Sequence, residues 1–288
     1  MRVLVTGARG QLGSEFVTLL GERGDEVLGV DMPGIDITQP GSVSTVFDLH
    51  EPDVVINCAA WTAVDAAEEN EAAALAVNGD GVRVLAEACA RTGAWLVQIS
   101  TDYVFAGDAS TPYAEDATPD PRTAYGRTKL AGERHAQEVL PDAHYIVRTA
   151  WLYGVNGNNF VKTILGAQRK NGVVSVVTDQ VGQPTYARDL ARQILTLLDA
   201  RPPAGTFHGT NGGVASWYEF TQAIFDEAGI PGSAVQPTDS SAYVRPAPRP
   251  AYSVLGHDRW AEVGLAPMRD WRAALAEAFD DGIDAARP

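Results

Sequence analysis

The chain has 288 residues, 45% hydrophobic and 20% charged, which is the make-up of a globular protein with one large or two modest domains, not of a disordered or fibrous one. Its net charge of −15 and pI of about 4.7 argue against a nucleic-acid backbone or an anionic membrane as the main partner, so any anionic ligand must be held by local groups. No basic stretch leading into an apolar one opens the chain, and no apolar run approaches the ~18 residues of a membrane span. A cytoplasmic location is expected, with Cys58 and Cys89 as free buried thiols that lack metal-ligand spacing.

In chain order, Arg2 to Thr6 reads as a strand, followed by the glycine turn Gly7-Ala8-Arg9-Gly10-Gln11-Leu12-Gly13 and a helix over Glu15 to Leu20. Glycines allow a tight turn and the approach of backbone to a phosphate, and a helix N-terminus supplies free N–H groups and a positive dipole end. The spacing is Gly-x-x-Gly-x-x-Gly, which differs from the commonest dinucleotide fingerprint. A second strand, Glu26 to Asp31, ends about twenty residues on in an acid that can accept from an adenosine ribose hydroxyl. A helix from Pro40 and Ser42 to Leu49 and a continuously apolar strand from Asp53 to Ala60 follow, the latter patterned for burial on both faces. Ala66 to Ala90 reads as helix broken near Asn78-Gly79-Asp80-Gly81. The next strand, Trp95 to Ile99, delivers Ser100 and Thr101 at its end, and helix Tyr125 to Val139 and strand His144 to Arg148 complete the alternation.

This order predicts an α/β fold, a Rossmann-like doubly wound parallel sheet that binds ligands outside the carboxyl ends of its strands, where Thr6, Asp31, Ala59 and Thr101 fall. Residues 1–150 form the expected dinucleotide-binding domain, and 151–288 a smaller substrate-binding domain capping the sheet edge. The strand Val173 to Val177 and the helix Ala187 to Leu198, within 173–200, are expected to return to the first domain. Later signals are a short strand at Thr206 to His208, a helix over Ser216 to Ala228, the proline-rich piece Arg245 to Pro250, and a last helix over Trp271 to Phe279.

The chain has nine tyrosines and only three lysines, Lys129, Lys162 and Lys170, so Tyr125-x-x-x-Lys129 is not a spacing expected by chance. On a helix, i and i+4 lie roughly 5–6 Å apart at Cβ. A neighbouring ammonium favours phenolate, so Lys129 is expected to lower the Tyr125 pKa toward the range useful for a general acid. Taken alone, the pair is equally a surface Tyr and Lys on a solvated helix.

The assembled residues resemble an extended short-chain dehydrogenase/reductase and, within it, the dTDP-4-dehydrorhamnose reductase family over essentially the whole length. The resemblance rests on Val5 to Gly13, Ser100-Thr101-Asp102-Tyr103-Val104-Phe105, Tyr125-Gly126-Arg127-Thr128-Lys129-Leu130-Ala131-Gly132-Glu133, Arg148-Thr149-Ala150-Trp151, Gly157-Asn158-Asn159-Phe160 and Asp179 to Thr185. It implies reduction, by NADPH or NADH, of the 4-keto group of a dTDP-4-dehydro-6-deoxyhexose, with dTDP-4-dehydro-L-rhamnose going to dTDP-L-rhamnose. It implies further that Tyr125 protonates the carbonyl oxygen, that Lys129 binds the nicotinamide ribose and lowers the Tyr125 pKa, and that Thr101 hydrogen-bonds the reacting oxygen. A ketone gaining hydride develops alkoxide character and needs donors already aimed at that oxygen.

By the same resemblance Gly7, Gly10, Gln11 and Leu12 hold the pyrophosphate, Asp31 the ribose, Asp36 and Ile37 the adenine edge, and Ala60 and Thr62 the end of the third strand. Asn78 supports the site. Asp102, Trp151, Asn159 and Arg249 fall on the substrate side, with Ser253 beside Arg249. Asp31 disfavours a 2′-phosphate and Arg9 offsets that repulsion, so both nicotinamide dinucleotides are expected to serve. Some relatives are thought to dimerise around Mg²⁺ held by glutamates. Glu15 and Glu277 match such positions but Arg188 stands where a third acid would, so no metal is expected, Arg188 is expected to pair with Glu15 or Glu277, and the protein is a monomer or a metal-independent homodimer. Two other readings remain open: a 4-ketoreductase of another dTDP-deoxysugar, and a non-catalytic nucleotide sensor of the same fold.

Overall fold

The computed structural model describes residues 1–284. Its first element, β1 (Arg2–Thr6), is a run of side chains without exposure from Val3 to Val5, as required of a strand covered on both faces. Around it lies a six-stranded sheet of β2 (Glu26–Val30), β3 (Val54–Asn57), β4 (Trp95–Thr101), β5 (His144–Thr149) and the later strand Gly205–His208. The order is Gly205–His208, β5, β4, β3, β1, β2, and every pairing is parallel. The chain leaves β1 toward β2 and then crosses to β3 on the other side, so the order reverses at the β1–β3 gap. A crevice opens there at the carboxyl ends of the strands.

Helices α1 (Gln11–Glu22), α2 (Pro40–His50), α3 (Val64–Glu69), α4 (Glu71–Leu75), α5 (Gly81–Thr92) and α6 (Ala124–Val139) follow in order. Phe16 and Leu20 of α1 pack with Leu190, Ile194 and Leu197 of the later helix Ala187–Ala200 on one face of the sheet. Phe47 of α2, Leu85 of α5 and Ala136 of α6 pack on the other. Each large apolar side chain so buried contributes roughly 1.5–3 kcal/mol. A separate apolar cluster gathers Tyr153 and Tyr186 from the short strands Leu152–Tyr153 and Thr185–Tyr186, Ile164 and Leu165 from the helix Phe160–Asn171, Phe220 and Phe225 from Trp217–Glu227, and Trp271 from Trp271–Asp280.

Three features differ from the sequence expectations. Val174–Val177 does not rejoin the main sheet; it pairs in parallel with Val235–Thr238 in a two-stranded sheet of its own. The strand that extends the main sheet is Gly205–His208, whose Phe207 is fully buried against Tyr145 and Trp260. Strand signals of four residues carry no information about which edge they join. Finally, the helix is not broken at Asn78-Gly79-Asp80-Gly81. Ala76–Asp80 is a π-helical turn running directly from α4 into α5, held by the buried Asn78 amide bonding to both backbone groups of Trp61 and to Thr128 Oγ1.

Candidate active site

The glycine turn is forced by contact. Gly7 sits at φ +65°, and a Cβ there would lie 2.6 Å from the Ala59 nitrogen, while one on Gly13 would lie 2.2 Å from the Gly7 carbonyl oxygen. Only bare backbone lets β1, the turn and the end of β3 come so close. The turn leaves the N-terminus of α1, with its free N–H groups, facing the crevice, and Gln11 Oε1 is buried there without a partner. At the end of β2, Asp31 Oδ2 accepts from the Arg9 backbone N–H at 2.7 Å, and the exposed Arg9 guanidinium lies 3.6 Å away. Asp36 closes an Asx turn by accepting from the Thr38 N–H and hydroxyl. These groups fit a dinucleotide: a phosphate cradle, an orphan acceptor and an acid at the ribose distance along the chain.

Tyr125 is brought beside Thr101 by the start of α6. Thr123 caps the helix, accepting from the Gly126 N–H at 3.0 Å, and a Cβ on Gly126 would lie 2.1 Å from the Tyr103 carbonyl oxygen. Glycine is therefore required for α6 to approach the end of β4. The Tyr125 ring meets the Tyr103 ring edge-on at 5.6 Å. Burial pushes the Tyr125 phenol up to about 12 against the influence of the neighbouring Thr101 hydroxyl, with the Asp102 charge adding to the rise. This reverses the expected direction. Lys129, only 3% exposed, donates to the Ile99 carbonyl at 2.6 Å instead of serving the phenol, and its own pKa falls to about 8 through burial, opposed by Glu133 and Cys58.

Lys129 thereby meets a polar ladder across the sheet. Thr6 donates to Asn57 Oδ1, Asn57 to Gln98 Oε1, and Gln98 to the Ile99 carbonyl, all at 2.6–2.7 Å. One turn behind Lys129, the buried Glu133 carboxylate accepts from Ser100 Oγ and from Arg148 Nε and Nη2, locking α6 to β4 and β5. Asp102 is 4% exposed; burial pushes its carboxyl up to about 6, opposed by the Ser253 and Thr101 hydroxyls.

A single cleft of about 1150 Å³ runs past Gly7, Gly10, Gln11, Leu12, Asp31, Asp36, Ile37, Ala60 and Thr62 to Thr101, Asp102, Tyr125 and Lys129, and on to Trp151, Arg249 and Ser253. Asn159 is the exception among the expected site residues. It caps the helix Phe160–Asn171, accepting from the Lys162 N–H and donating to the Gly154 carbonyl, and it is its neighbour Asn158 that lines the cleft. An N-cap preference for asparagine just before a helix was the available signal. Arg249 is not a free cation, since it donates to Asp65 Oδ2 at 2.9 Å and to the Ala247 carbonyl.

Trp151 adopts φ +47° and stacks on Trp217 with ring centroids 3.6 Å apart. Trp217, Tyr103, Gln180, Tyr243 and Arg245 line the cleft as well; none was named as a site residue from the sequence, although Tyr103 and Gln180 lie in stretches that carry the resemblance, and Trp217 reaches the cleft through the second apolar cluster. The acids away from the cleft are also arranged differently. Arg188 lies near Asp281 and Glu22, at 3.5 and 3.9 Å, while Glu277 pairs with Arg192 and Arg269. Glu15 is 4% exposed, and burial raises its pKa against the attraction of Arg188.

The sequence matches the family described as RmlD substrate binding domain over residues 1–283. A dTDP-4-dehydrorhamnose reductase of Streptomyces griseus is 50% identical over 282 residues, covering 96% of this chain and 93% of the relative. A probable dTDP-4,6-dihydroxy-2-methyloxan-3-one 4-ketoreductase of Streptomyces antibioticus is 49% identical over 291 residues, covering 100% and 98%. Among solved structures, the dTDP-4-dehydrorhamnose reductase of Bacillus anthracis in complex with NADP is 39% identical with a TM-score of 0.94, covering 97% of this chain and 99% of that one. The glycine turn, the Tyr125–Lys129 helix and the full-length matches together place the chain in the RmlD family, that of the dTDP-4-dehydrorhamnose reductases.

Proposed function

We propose that the protein reduces the 4-keto group of a dTDP-4-dehydro-6-deoxyhexose, converting dTDP-4-dehydro-L-rhamnose to dTDP-L-rhamnose with NADPH or NADH. The observation that carries this reading is the placing of Tyr125, Thr101 and Lys129 midway along one cleft, with a phosphate cradle at one end and Trp151, Arg245 and Arg249 at the other. The reduced nicotinamide, when bound, supplies the hydride. The residues of the chain do the rest. Gly10, Gln11 and Leu12 hold the pyrophosphate at the N-terminus of α1, Asp31 takes the adenosine ribose, Asp36, Ile37, Ala60 and Thr62 border it, and Lys129 takes the nicotinamide ribose. Tyr125, fully protonated at neutral pH because its pKa lies near 12, gives its proton to the carbonyl oxygen as that oxygen becomes an alkoxide. Thr101, whose hydroxyl donates to Asp102 Oδ1 in the free protein, turns to donate to the same oxygen while its charge develops. Asp102 and Trp151 border the sugar, and Arg245, beside an Arg249 already held by Asp65, lines the end of the cleft where a diphosphate needs a local cation in so acidic a protein.

The second reading, a 4-ketoreductase of another dTDP-deoxysugar, is favoured by one observation: a relative of that description matches the whole chain about as well. Both readings share the chemistry and differ in the product. Purified protein is incubated with several dTDP-4-ketosugars and each nicotinamide dinucleotide, and the product sugar is identified by NMR. Formation of dTDP-L-rhamnose is the expected result; oxidation of nicotinamide only with a different ketosugar selects the second reading, and none with any of them rejects both. We place the protein in the cytoplasm, where the free thiols Cys58 and Cys89 stay reduced, as a monomer or a homodimer that needs no metal.

A further inference from the structure

The turn from Gly7 to Gly13 walls the pyrophosphate end of the cleft on one side. Against it stands a loop from beyond residue 150 that the reaction described above leaves without a part. Gly157 sits at φ +70°, and a Cβ there would lie 2.8 Å from Gln11 Cγ and 3.7 Å from the Gln11 nitrogen. That nitrogen opens α1, so its N–H has no intrahelical partner, and a phosphate oxygen would take it at about 2.9 Å. Glycine at 157 keeps that approach clear. Gln11 Oε1 is buried here with no hydrogen-bond partner, which two surfaces packed only for each other would not leave.

The loop is fixed from its own side. Asn159 accepts from the Lys162 N–H and donates to the Gly154 carbonyl, and the Lys162 ammonium donates to the Val155 and Gly157 carbonyls. These bonds tie the loop to the N-terminus of the helix Phe160–Asn171. Asn158 takes no part in them. It is exposed, it lines the cleft with Gly157, Gly10, Gln11 and Leu12, and its amide has no hydrogen-bond partner among the described residues. Its neighbours are both anchored, Gly157 by Lys162 and Asn159 by the helix cap, so the backbone of Asn158 is held at the cleft wall.

We infer that Asn158 is a further dinucleotide-binding residue, its amide donating to the pyrophosphate from across the cleft while the first N–H groups of α1 donate from the other side. The inference deepens the ketoreductase reading and rests on it for the dinucleotide. A neutral donor suits the place: in a chain of net charge −15, with Asp31 and Asp36 along the same cleft, a carboxylate at 158 would oppose the diphosphate. The part of the chain beyond residue 150 then grips the dinucleotide as well as the sugar.

The test is binding without sugar substrate. Asn158→Ala removes the amide, and Asn158→Asp keeps its shape but exchanges the N–H donor for a carboxylate. The probes, followed by calorimetric titration, are NADPH, NADH and ADP-ribose, which carries the pyrophosphate without the nicotinamide; dTDP is the control for the phosphates of the sugar nucleotide. All three probes are expected to bind about tenfold more weakly to Asn158→Ala and about a hundredfold more weakly to Asn158→Asp, the second loss shrinking as ionic strength rises, while dTDP binds as to wild type. Unchanged affinity for NADH and ADP-ribose in both variants overturns the inference. So does weaker binding of dTDP with dinucleotide binding intact, which would put Asn158 on the phosphates of the sugar nucleotide, and so does a loss for NADH that ADP-ribose does not share. Thermal unfolding at the wild-type midpoint checks that each variant folds, and should Asn158→Asp fail that check, Asn158→Ala decides. The ketoreductase reading fails differently: wild type then binds dinucleotide but oxidises it with no ketosugar, whereas a wild type that binds no dinucleotide rejects both.

Discussion

Replacing Arg148 by methionine probes the lock that holds the catalytic helix. Arg148 is 4% exposed and Glu133 1%. Their carboxylate–guanidinium contact is bidentate, at 3.0 and 2.7 Å, and Arg148 Nη1 also donates to the Glu115 carbonyl at 3.2 Å. Removing the guanidinium leaves the Glu133 carboxylate buried with a hydrogen bond from the Ser100 hydroxyl and the Lys129 ammonium one turn away, without its bidentate partner. Breaking a buried pair from one side costs about 3–5 kcal/mol, whereas replacing both partners with apolar groups of similar volume is often close to neutral. With a urea m-value of about 3 kcal/mol/M for a chain of this size, the unfolding midpoint of Arg148→Met should fall by about 1–1.7 M. The double variant Glu133→Leu/Arg148→Met should recover more than half of that loss. Urea unfolding followed by tryptophan fluorescence and by circular dichroism gives both numbers. A shift below about 0.3 M for the single variant would refute the buried-charge argument. A double variant no more stable than the single one would show that the guanidinium acts by packing over Phe105, 4.9 Å away, and not by pairing.

Other outcomes follow from the same geometry. Tyr125→Phe should fold normally and bind nicotinamide dinucleotide as wild type does, while kcat falls by roughly 10²–10⁴, the usual worth of general acid catalysis; retention of more than a third of kcat with chemistry rate-limiting would sink the assignment. Lys129 titrates near 8 because burial disfavours its charge, so the ammonium is present below that pH and lost above it. Nicotinamide affinity measured by fluorescence titration should therefore weaken as pH rises through about 8, and Lys129→Met should flatten the profile. Removing the Arg9 guanidinium, which lies 3.6 Å from Asp31, should lower kcat/KM for NADPH relative to NADH, and an unchanged ratio would show that Arg9 does not offset the Asp31 charge. Because Glu277 is held by Arg192 and Arg269, treatment with EDTA should change neither activity nor solution mass, and a loss restored by Mg²⁺ would show the guanidinium arrangement to be wrong.

The sequence alone determined the strands, the glycine turn and the Tyr125–Lys129 helix, because each is a local pattern: an apolar run between turn residues, glycines at a strand-to-helix junction, a one-turn spacing. It determined the chemical class through the same short stretches. Tertiary structure decided everything that depends on which surface a residue meets. The strand signals at Val174–Val177 and Gly205–His208 do not say which sheet each joins, and only packing sends the second to the main sheet and the first to Val235–Thr238. Asn159 and Asn158 are adjacent and chemically identical, yet one closes a helix and the other faces the cleft. The Tyr125 pKa could not be inferred from its spacing to Lys129, because helical proximity fixes where the ammonium starts and not which carbonyl it reaches. Burial, a property of the whole fold, raises the phenol and lowers the lysine where a pairwise charge argument gave the opposite sign for the tyrosine.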